Sequence, residues 1–278
     1  MAITTQGPSI VVGADYDRAI TALESDRRAR AAFQQLVARI AAPDAALYDF
    51  GAGTGIDARV YAERGCTVGA YDVDPGMRQQ FALRCRDLIE TGRITLDAGS
   101  YSQFLANTVN GGRGVDLVTS NFTPLNLIAE LPPLFEKFHA LTVSGGKVLV
   151  SVLNPYFIGD LKYGWWWRNG MRLWRAGHYS VAGTQTAISR RRLADFARQS
   201  APYFALTRVF RGSTPHRGQR TDGIDMTRSG RNAWLRVASC RFMFLLFERL
   251  DNGGRSGSDH SGPVPSNIWS TNDARSRE

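Results

Sequence analysis

The stretch that decides the fold lies at residues 49–55 and reads DFGAGTG, between the short apolar run Ala46–Phe50 and a helical segment that begins at Ile56. Glycines at a strand-to-helix turn let the backbone bend tightly and approach a ligand closely. The first turn of the following helix presents free N–H groups and the positive end of the helix dipole to a negative group. The stretch therefore predicts a turn that binds a nucleotide-type ligand.

The glycine spacing separates the two kinds of ligand that use such a turn. A dinucleotide fold requires G-x-G-x-x-G, whereas the glycines here follow G-x-G-x-G and are succeeded by Ile56. Asp49, just before the first glycine, would repel a pyrophosphate but attract a cationic amino group. Asp72 follows about 20 residues later, which suits both ligands and does not discriminate between them. The spacing and Asp49 favour a ligand that carries an amino group over a dinucleotide.

Strand and helix patterns alternate on both sides of this turn. Short apolar runs predict strands at 46–50, 67–71, 94–96, 115–120 and 147–153. Helices are predicted around Phe33–Ile40, at 56–64, at 75–90 and from Pro133 onward. This alternation predicts an α/β fold with a doubly wound, mostly parallel sheet.

The regular alternation ends after Leu153. Residues 154–185 form an aromatic-rich insertion, which is typical of a lid or a binding region. A helix is predicted at 189–199 with Ser189 as its N-cap, strands at 204–210 and 240–250, and a long exposed loop at about 211–234. We expect one domain over residues 1–250, followed by a disordered tail at 251–278 that has little to bury.

Composition and charge exclude several classes of protein. Of the 278 residues, 43% are hydrophobic and 21% charged, as in a soluble globular protein, and no apolar run is long enough for a membrane span. The three cysteines suit neither a disulfide framework nor a zinc site, and no signal peptide is visible, so we expect a cytoplasmic protein. The net charge of +9 arises in residues 161–278, which hold 20 Lys and Arg against 8 Asp and Glu. That excess suits an anionic substrate, a nucleic acid or an acidic membrane surface, or it is a solvated Arg-rich surface.

The motifs resemble those of the class I S-adenosylmethionine-dependent methyltransferases, of the small-molecule type. The first motif of that family, (D/E)-x-G-x-G-x-G after the first strand, is matched in full by residues 49–55. Asp72 matches the acid at the end of the second strand, Asp97 and Ala98 match the acid and small residue after the third, and Asn121 lies in the polar segment after the fourth. The resemblance covers about residues 12–250. It implies a Rossmann-like sheet of seven strands, with the last one antiparallel.

The resemblance also implies S-adenosyl-L-methionine as the cofactor and a role for each matched residue. Asp49 would lie near the methionine ammonium, and Asp72 would accept hydrogen bonds from the ribose hydroxyls. Asp97 would accept one from the adenine amino group, Asn121 would border the methyl group, and Tyr16 would touch the carboxylate or simply pack. The candidate cofactor-binding residues are Tyr16, Asp49, Gly51, Gly53, Gly55, Asp72, Val73, Met77, Asp97, Ala98 and Asn121. No metal is expected.

The methyl acceptor is less clearly marked in the sequence. The candidate general base is His178, since neutral histidine has a suitable pKa and this one lies in the aromatic insertion; a structural histidine is the alternative. The run Trp165–Trp167 either lines an apolar substrate cavity or packs elsewhere, because consecutive residues point in different directions. A lipid substrate at a membrane surface is a less economical alternative.

The resulting hypothesis is an enzyme that methylates a small organic molecule, with oxygen as the favoured acceptor atom. Three alternatives stay open. One is an RNA or protein methyltransferase that uses the basic C-terminal half, and another is a catalytically silent cofactor-binding protein. The last is a nicotinamide-dependent oxidoreductase.

Overall fold

The computed structural model describes residues 23–181, 187–212, 224–225 and 238–251. Its helices are α1 (Glu24–Ile40), α2 (Ile56–Glu63), α3 (Pro75–Arg84), α4 (Arg86–Glu90), α5 (Tyr101–Ala106), α6 (Pro132–Leu141), α7 (Gly164–Ala176) and α8 (Leu193–Ser200). Its strands are β1 (Ala46–Phe50), β2 (Thr67–Tyr71), β3 (Ile94–Asp97), β4 (Val115–Ser120), β5 (Thr142–Leu153), β6 (His178–Val181), β7 (Ile188–Arg191), β8 (Phe204–Arg211), β9 (Ile224–Asp225) and β10 (Phe242–Arg249).

The main sheet has the strand order β3-β2-β1-β4-β5-β10-β8-β9. Strands β1 to β5 run parallel to one another, whereas β10 is antiparallel to both β5 and β8. Without the two-residue edge strand β9, this is the seven-stranded, mostly parallel sheet that the sequence predicts, so the predicted fold class is confirmed. Strands β6 and β7 form a separate antiparallel pair within and just beyond the predicted insertion.

Both faces of the sheet are buried. Successive side chains of a strand point to opposite faces. Leu47 accordingly packs on one face with Phe33 of α1, and Tyr48 packs on the other face with Phe138 of α6. The ring of Phe33 meets that of Phe244 edge-on at 5.2 Å between centroids, which ties α1 to the antiparallel part of the sheet. Burial on both faces explains why the parallel strands are nearly continuous apolar runs in the sequence.

The topology brings three strand ends together. Strand β1 lies between β2 and β4, with Asp49 in register with Ala70 on one side and with Thr119 on the other. The chain runs from β1 through β2 to β3 on one side of β1 and then crosses to β4 and β5 on the other side. In such sheets ligands bind at the carboxyl ends of the strands where this reversal occurs. The glycine turn after β1 lies at that point.

The predicted helix at 75–90 is wrong in one respect, because the structure has two helices there. Helix α3 ends at Arg84, and the next residue, Cys85, departs from helical dihedral angles (φ −105°, ψ 16°) before α4 begins. The buried Cys85 thiol donates a hydrogen bond to the Gly55 carbonyl at 3.6 Å. Contact between this side chain and the glycine turn accompanies the bend.

The predicted helix at 189–199 is wrong at its beginning. Residues Ile188–Arg191 form β7, which pairs with β6, and helix α8 begins only at Leu193. Ser189 is therefore not an N-cap; its hydroxyl lies 2.9 Å from that of Ser180 across the pair. Burial of Ser189 and Arg191 but not of their neighbours has the two-residue period of a strand, which overrides the helical pattern.

Two smaller differences concern the insertion and the predicted loop at 211–234. The insertion is less irregular than expected, because it contains the 13-residue helix α7 and strand β6. The predicted loop at 211–234 contributes β9, whose Ile224 pairs with Val209.

Residues 252–278 lie outside the described residues, so the domain limits and the tail stay predictions. Among the helices that the structure describes, none has the length and apolar character to cross a bilayer.

Candidate active site

The glycine turn has a backbone that other residues adopt only with strain. Gly51, Gly53 and Gly55 have φ values of +71°, +56° and +81°. The N–H of Gly51 donates to the Tyr71 carbonyl at 2.8 Å, which ties the turn to the end of β2. A Cβ on Gly51 would lie 2.5 Å from Pro124 Cγ, so no side chain fits at this position. The turn is thus both bent and closely covered, as its sequence predicts.

Asp72 holds the turn from the neighbouring strand. One carboxylate oxygen accepts a hydrogen bond from the Gly53 N–H at 2.7 Å, and the other accepts one from the Asp74 N–H at 2.9 Å. Arg78 donates to the Asp72 main-chain carbonyl at 2.7 Å and so fixes the turn after β2. Burial raises the pKa of the Asp72 carboxyl above its usual value. Each carboxylate oxygen has a second lone pair, which leaves Asp72 able to accept hydrogen bonds from a ligand.

Asp49 is buried at the end of β1. It accepts a hydrogen bond from the Thr119 hydroxyl at 3.0 Å. Burial, and next the negative charge of Asp57, raise the pKa of Asp49 to about 8. A cation placed beside this carboxyl would oppose both effects and favour the ionised form.

Sequence reasoning missed an ion pair beside the turn. The Arg30 guanidinium of α1 lies 2.7 Å from the Asp57 carboxylate, and Asp57 also accepts hydrogen bonds from Gln34 at 2.6 Å and from Asn121 at 3.0 Å. The guanidinium is 4.4 Å from the centroid of the Phe122 ring. The sequence indicates only that Arg30 and Gln34 share one face of α1, because they are four residues apart, and that this face differs from that of Phe33.

The turn after β4 completes the site with a strained backbone. Asn121 is buried, and its side-chain oxygen accepts a hydrogen bond from the Phe122 N–H at 2.9 Å. Phe122 and Thr123 have φ values of +54° and +72°, which are rare for residues with a side chain. Two such residues in succession cost energy and are concentrated at functional sites in proteins. Pro124, the next residue after this strained pair, lies against Gly51.

These elements surround one cleft. It gathers four of the predicted site residues, Asp49, Gly51, Gly53 and Asn121, and Asp72 is bonded to its wall. The lining residues are Arg30, Asp49, Gly51, Ala52, Gly53, Thr54, Ile56, Asp57, Asn121 and Phe122.

The remaining predicted cofactor residues lie nearby or outside the description. Val73 is exposed directly after Asp72, and Met77 is half-buried in the first turn of α3. Ala98 is exposed, but the Asp97 carboxylate accepts hydrogen bonds from the Tyr48 hydroxyl at 2.8 Å and the Asn110 N–H at 2.9 Å. Asp97 is thus already engaged by the protein, and its role toward adenine stays a prediction. Tyr16 lies outside the described residues.

His178 is not among the residues that line this cleft. It is exposed on β6, opposite Arg191, and it lines a separate hollow together with Arg172 and Arg175 of α7. Its role as a general base stays a prediction. Across the described ranges, no three His, Cys, Asp or Glu side chains are grouped so that they could hold a metal ion.

The β6–β7 pair is joined firmly to the turn after β4. The buried Arg191 donates to the carbonyls of Ile128 and Ala129, both at 2.6 Å. Asn126 donates to the Ser189 carbonyl at 2.5 Å. The pair formed by β6 of the insertion and the following strand β7 therefore packs against the turn after β4.

The fold and the site together define a class of protein. A parallel sheet ordered 3-2-1-4-5, an antiparallel strand beside the fifth, a glycine turn after the first strand and an acid after the second are the features of the S-adenosylmethionine-dependent methyltransferases named above as a resemblance. A family model described as a methyltransferase domain matches residues 24–199. The chain belongs to this methyltransferase domain family, and it is an enzyme that uses S-adenosyl-L-methionine.

Solved structures agree with this assignment at the level of the fold. The chain is similar to an S-adenosylmethionine-dependent methyltransferase from Mesorhizobium loti, with 16% identity, a TM-score of 0.51 and coverage of 78% of this chain and 98% of that one. It is also similar to the 1,6-didemethyltoxoflavin-N1-methyltransferase of Burkholderia thailandensis, solved with 1,6-didemethyltoxoflavin and S-adenosylhomocysteine (17% identity, TM-score 0.53, coverage 87% and 88%). A third is the N-methyltransferase NodS of Bradyrhizobium japonicum in complex with S-adenosylhomocysteine (11% identity, TM-score 0.51, coverage 82% and 89%). A search of curated proteins finds no match.

Proposed function

We propose that this enzyme transfers the methyl group of S-adenosylmethionine to a small organic molecule, with oxygen as the acceptor atom. The observation that carries the proposal is the hydrogen bond between Asp72 and the Gly53 N–H at 2.7 Å, because it places a half-buried acid beside the glycine turn that lines the cleft. When bound, the cofactor supplies a methyl group that is already electrophilic, so the protein's main task is to align the nucleophile.

The described residues fit this cofactor. Gly51 and Gly53 line the cleft with backbone alone, so the turn offers no side chain that would keep the methionine part away. Asp49 is a buried acid whose proton would be displaced by an ammonium group, and Asp72 keeps acceptor capacity for two ribose hydroxyls. Val73 and Met77 would lie beside the adenine. Ala98 N–H and Asp97 would contact its edge once the side chain of Asp97 is partly released from Tyr48.

Arg30 adds a role that the motifs do not include. It is the cation among the residues lining the cleft, and it lies on α1, facing Asp57 and the ring of Phe122. We assign it to the cofactor carboxylate. The Asp57 side chain orients Arg30, and Asn121 in turn orients Asp57.

The acceptor would enter between Asn121 and the insertion. Asn126 and Arg191 hold the β6–β7 pair against the turn after β4, which gives the acceptor side a structured wall. A wall built from one chain segment suits a small molecule. His178 lines a separate hollow, so a role as general base would require the insertion to move it toward the cleft.

Nitrogen is the second candidate for the acceptor atom. Two of the similar structures are named as N-methyltransferases, one of them bound to a small heterocycle. A nitrogen nucleophile with a free lone pair needs no general base, which agrees with the position of His178 outside the cleft.

The test is transfer of an isotopically labelled methyl group. The protein would be incubated with S-adenosylmethionine labelled in its methyl group and, in parallel, with the small-molecule, RNA and protein fractions of an extract, and products that gain the mass of one labelled CH₂ unit would be isolated. Carbon chemical shifts would then distinguish O-methyl from N-methyl products. Asp72→Ala is the control that should strongly reduce labelling when the cofactor concentration lies near the wild-type dissociation constant. Label appearing only in RNA or protein fractions would contradict a small-molecule acceptor and favour the use of the basic C-terminal half.

A further inference from the structure

Helix α7 presents large apolar side chains to solvent. Tyr163, just before the helix, and Trp167, Met171 and Trp174 follow one another at helical spacing, and they form what we call the apolar stripe. The last three are 66%, 58% and 67% exposed. The helix packs on the protein through a different face, on which Leu173 is buried. A continuous exposed apolar row of this size on a folded protein indicates an interaction surface.

A row of positive charges runs beside the stripe. Arg168, Arg172 and Arg175 each follow a stripe residue by one position, and Lys162 precedes the helix. Within the part of the chain that the structure describes, none of these four forms an ion pair. The sequence has no Asp or Glu between residues 161 and 194, and the nearest preceding acid, Asp160, is paired with Arg190.

We propose that the apolar stripe and its flanking cations dock α7, lying in the plane of the surface, on a lipid bilayer that contains anionic lipids. A helix with Trp, Tyr and Met on one side and Lys or Arg beside them is suited to the boundary between headgroups and acyl chains. With 13 residues α7 is too short to span the bilayer, so it lies on it. The indole N–H of Trp167 donates to the Leu161 carbonyl at 2.8 Å, which lets this ring enter an apolar region without an unpaired donor.

Charge complementarity excludes the other occupants that the chain itself offers. Two copies of α7 face to face would bring two sets of four cations together. The segments outside the described residues hold nine Lys and Arg against six Asp and Glu, so none of them supplies a clear excess of negative charge. The charges of the stripe's surroundings therefore favour an anionic surface outside the chain. Among anionic partners, a bilayer accounts for the aliphatic Met171 as well as for the aromatic rings, whereas a nucleic acid would use the rings alone.

The first experiment is sedimentation of the full chain with vesicles. Wild-type protein is mixed with pure phosphatidylcholine vesicles and with mixed phosphatidylcholine–phosphatidylglycerol vesicles. We expect binding to the mixed vesicles that decreases as salt increases, and at least about tenfold weaker binding to the neutral ones. A blue shift of the tryptophan emission should accompany binding, because Trp167 and Trp174 leave water.

Two variants separate the apolar and the charged parts. The double change Trp167→Ser with Trp174→Ser should weaken binding to mixed vesicles by about tenfold or more. The triple change of Arg168, Arg172 and Arg175 to Gln should weaken it by about fivefold for each charge removed. The matched controls are Leu83→Ser, an equally exposed apolar residue on α3, and Arg86→Gln, an exposed cation on α4. Both controls should bind as the wild type does.

Each other outcome overturns the proposal. Equal binding to neutral and anionic vesicles, or binding that neither variant changes, would assign the surface another role. A shift of a single-stranded RNA probe that both variants abolish, with no vesicle binding, would make a nucleic acid the partner. Because all substituted side chains are exposed, unchanged circular dichroism and thermal midpoints should confirm folding; if a variant does unfold, the lipid and salt dependence of the wild type decides. None of these readouts depends on methyl transfer, so the proposed function is tested separately.

Discussion

The carboxylate of Asp72, at the end of β2, accepts a hydrogen bond from the N–H of Gly53, in the turn after β1, at 2.7 Å. This hydrogen bond joins the glycine turn after β1 to the acid after β2, and the interpretation of the sequence depends on these two features. The acid holds the turn in position. Burial of the acid raises the pKa of its carboxyl, and the hydrogen bond from Gly53 opposes that rise. A ligand that lies across the turn would meet both at once.

Replacing Asp72 tests its role in cofactor binding. Asp72→Ala should raise the dissociation constant of S-adenosylhomocysteine by roughly tenfold or more, because a hydrogen bond to a charged group contributes about 1.5–3 kcal/mol. Isothermal titration calorimetry measures the change. Asp74→Ala, which removes the neighbouring acid that caps α3 through the Met77 N–H, is the control and should leave affinity nearly intact. An unchanged dissociation constant in Asp72→Ala would reject the assignment.

A second prediction concerns the close cover of the glycine turn. Gly51 and Gly92 have nearly the same φ, +71° and +70°, but a Cβ on Gly51 meets Pro124 whereas one on Gly92 meets nothing within 4 Å. Gly92→Ala should cost about 1 kcal/mol of unfolding free energy, and Gly51→Ala about 2–4 kcal/mol. Urea denaturation gives both values. Equal losses would show that only the backbone angle, and not the contact with Pro124, matters.

The ion pair between Arg30 and Asp57 should affect both stability and binding. Arg30→Met leaves a buried carboxylate with only its bonds to Gln34 and Asn121, so the unfolding free energy should fall by roughly 2 kcal/mol. Affinity for S-adenosylhomocysteine should fall as well. The control is Arg28→Met on the same helix, whose pair with Glu24 is exposed and should contribute less than about 0.5 kcal/mol. Similar effects of the two substitutions would contradict the assignment of Arg30 to the cofactor site.

The raised pKa of Asp49 makes stability depend on pH. With a folded-state pKa of about 8 and an unfolded value near 4, the folded protein holds a proton that the unfolded chain has released. Stability of the ligand-free protein should therefore fall as pH rises through this range, by at most about 1.4 kcal/mol per pH unit from this group.

Asp49→Asn is the variant that tests this dependence. It should flatten the fall measured by urea denaturation between about pH 6 and pH 8, because the amide does not titrate. The exposed Asp44→Asn serves as control and should keep the wild-type slope. A slope that Asp49→Asn leaves unchanged would mean that Asp49 ionises normally.

Local patterns were enough to predict the central part of the fold. Strands β2 and β4 lie at the predicted residues, because buried parallel strands are apolar runs with sharp ends. The β6–β7 pair was missed, since Ser189 is in a strand only through its pairing with Ser180 and through the burial of Arg191. No local pattern contains that information, and the helical spacing that follows it extended the predicted helix too far.

The candidate site also contains residues that a local sequence pattern identifies and residues that only the packing of the chain brings together. Asp49, the glycines and Asp72 were found because they lie at the ends of two adjacent strands in a recognisable spacing. The sequence does not identify Arg30, because its role depends on the packing of α1 against α2. Its partner Asp57 lies 27 residues further along the chain. His178 was chosen for its chemistry and its neighbours in sequence, and the structure places it at another hollow.

The most direct test of the central claim is a crystal structure of the full chain with S-adenosylhomocysteine. We expect density for the ligand across the turn of Gly51, Gly53 and Gly55, with its ribose hydroxyls within hydrogen-bond distance of Asp72 and its amino group beside Asp49. Ligand density elsewhere on the protein, or a cleft that excludes the compound at saturating concentration, would contradict it.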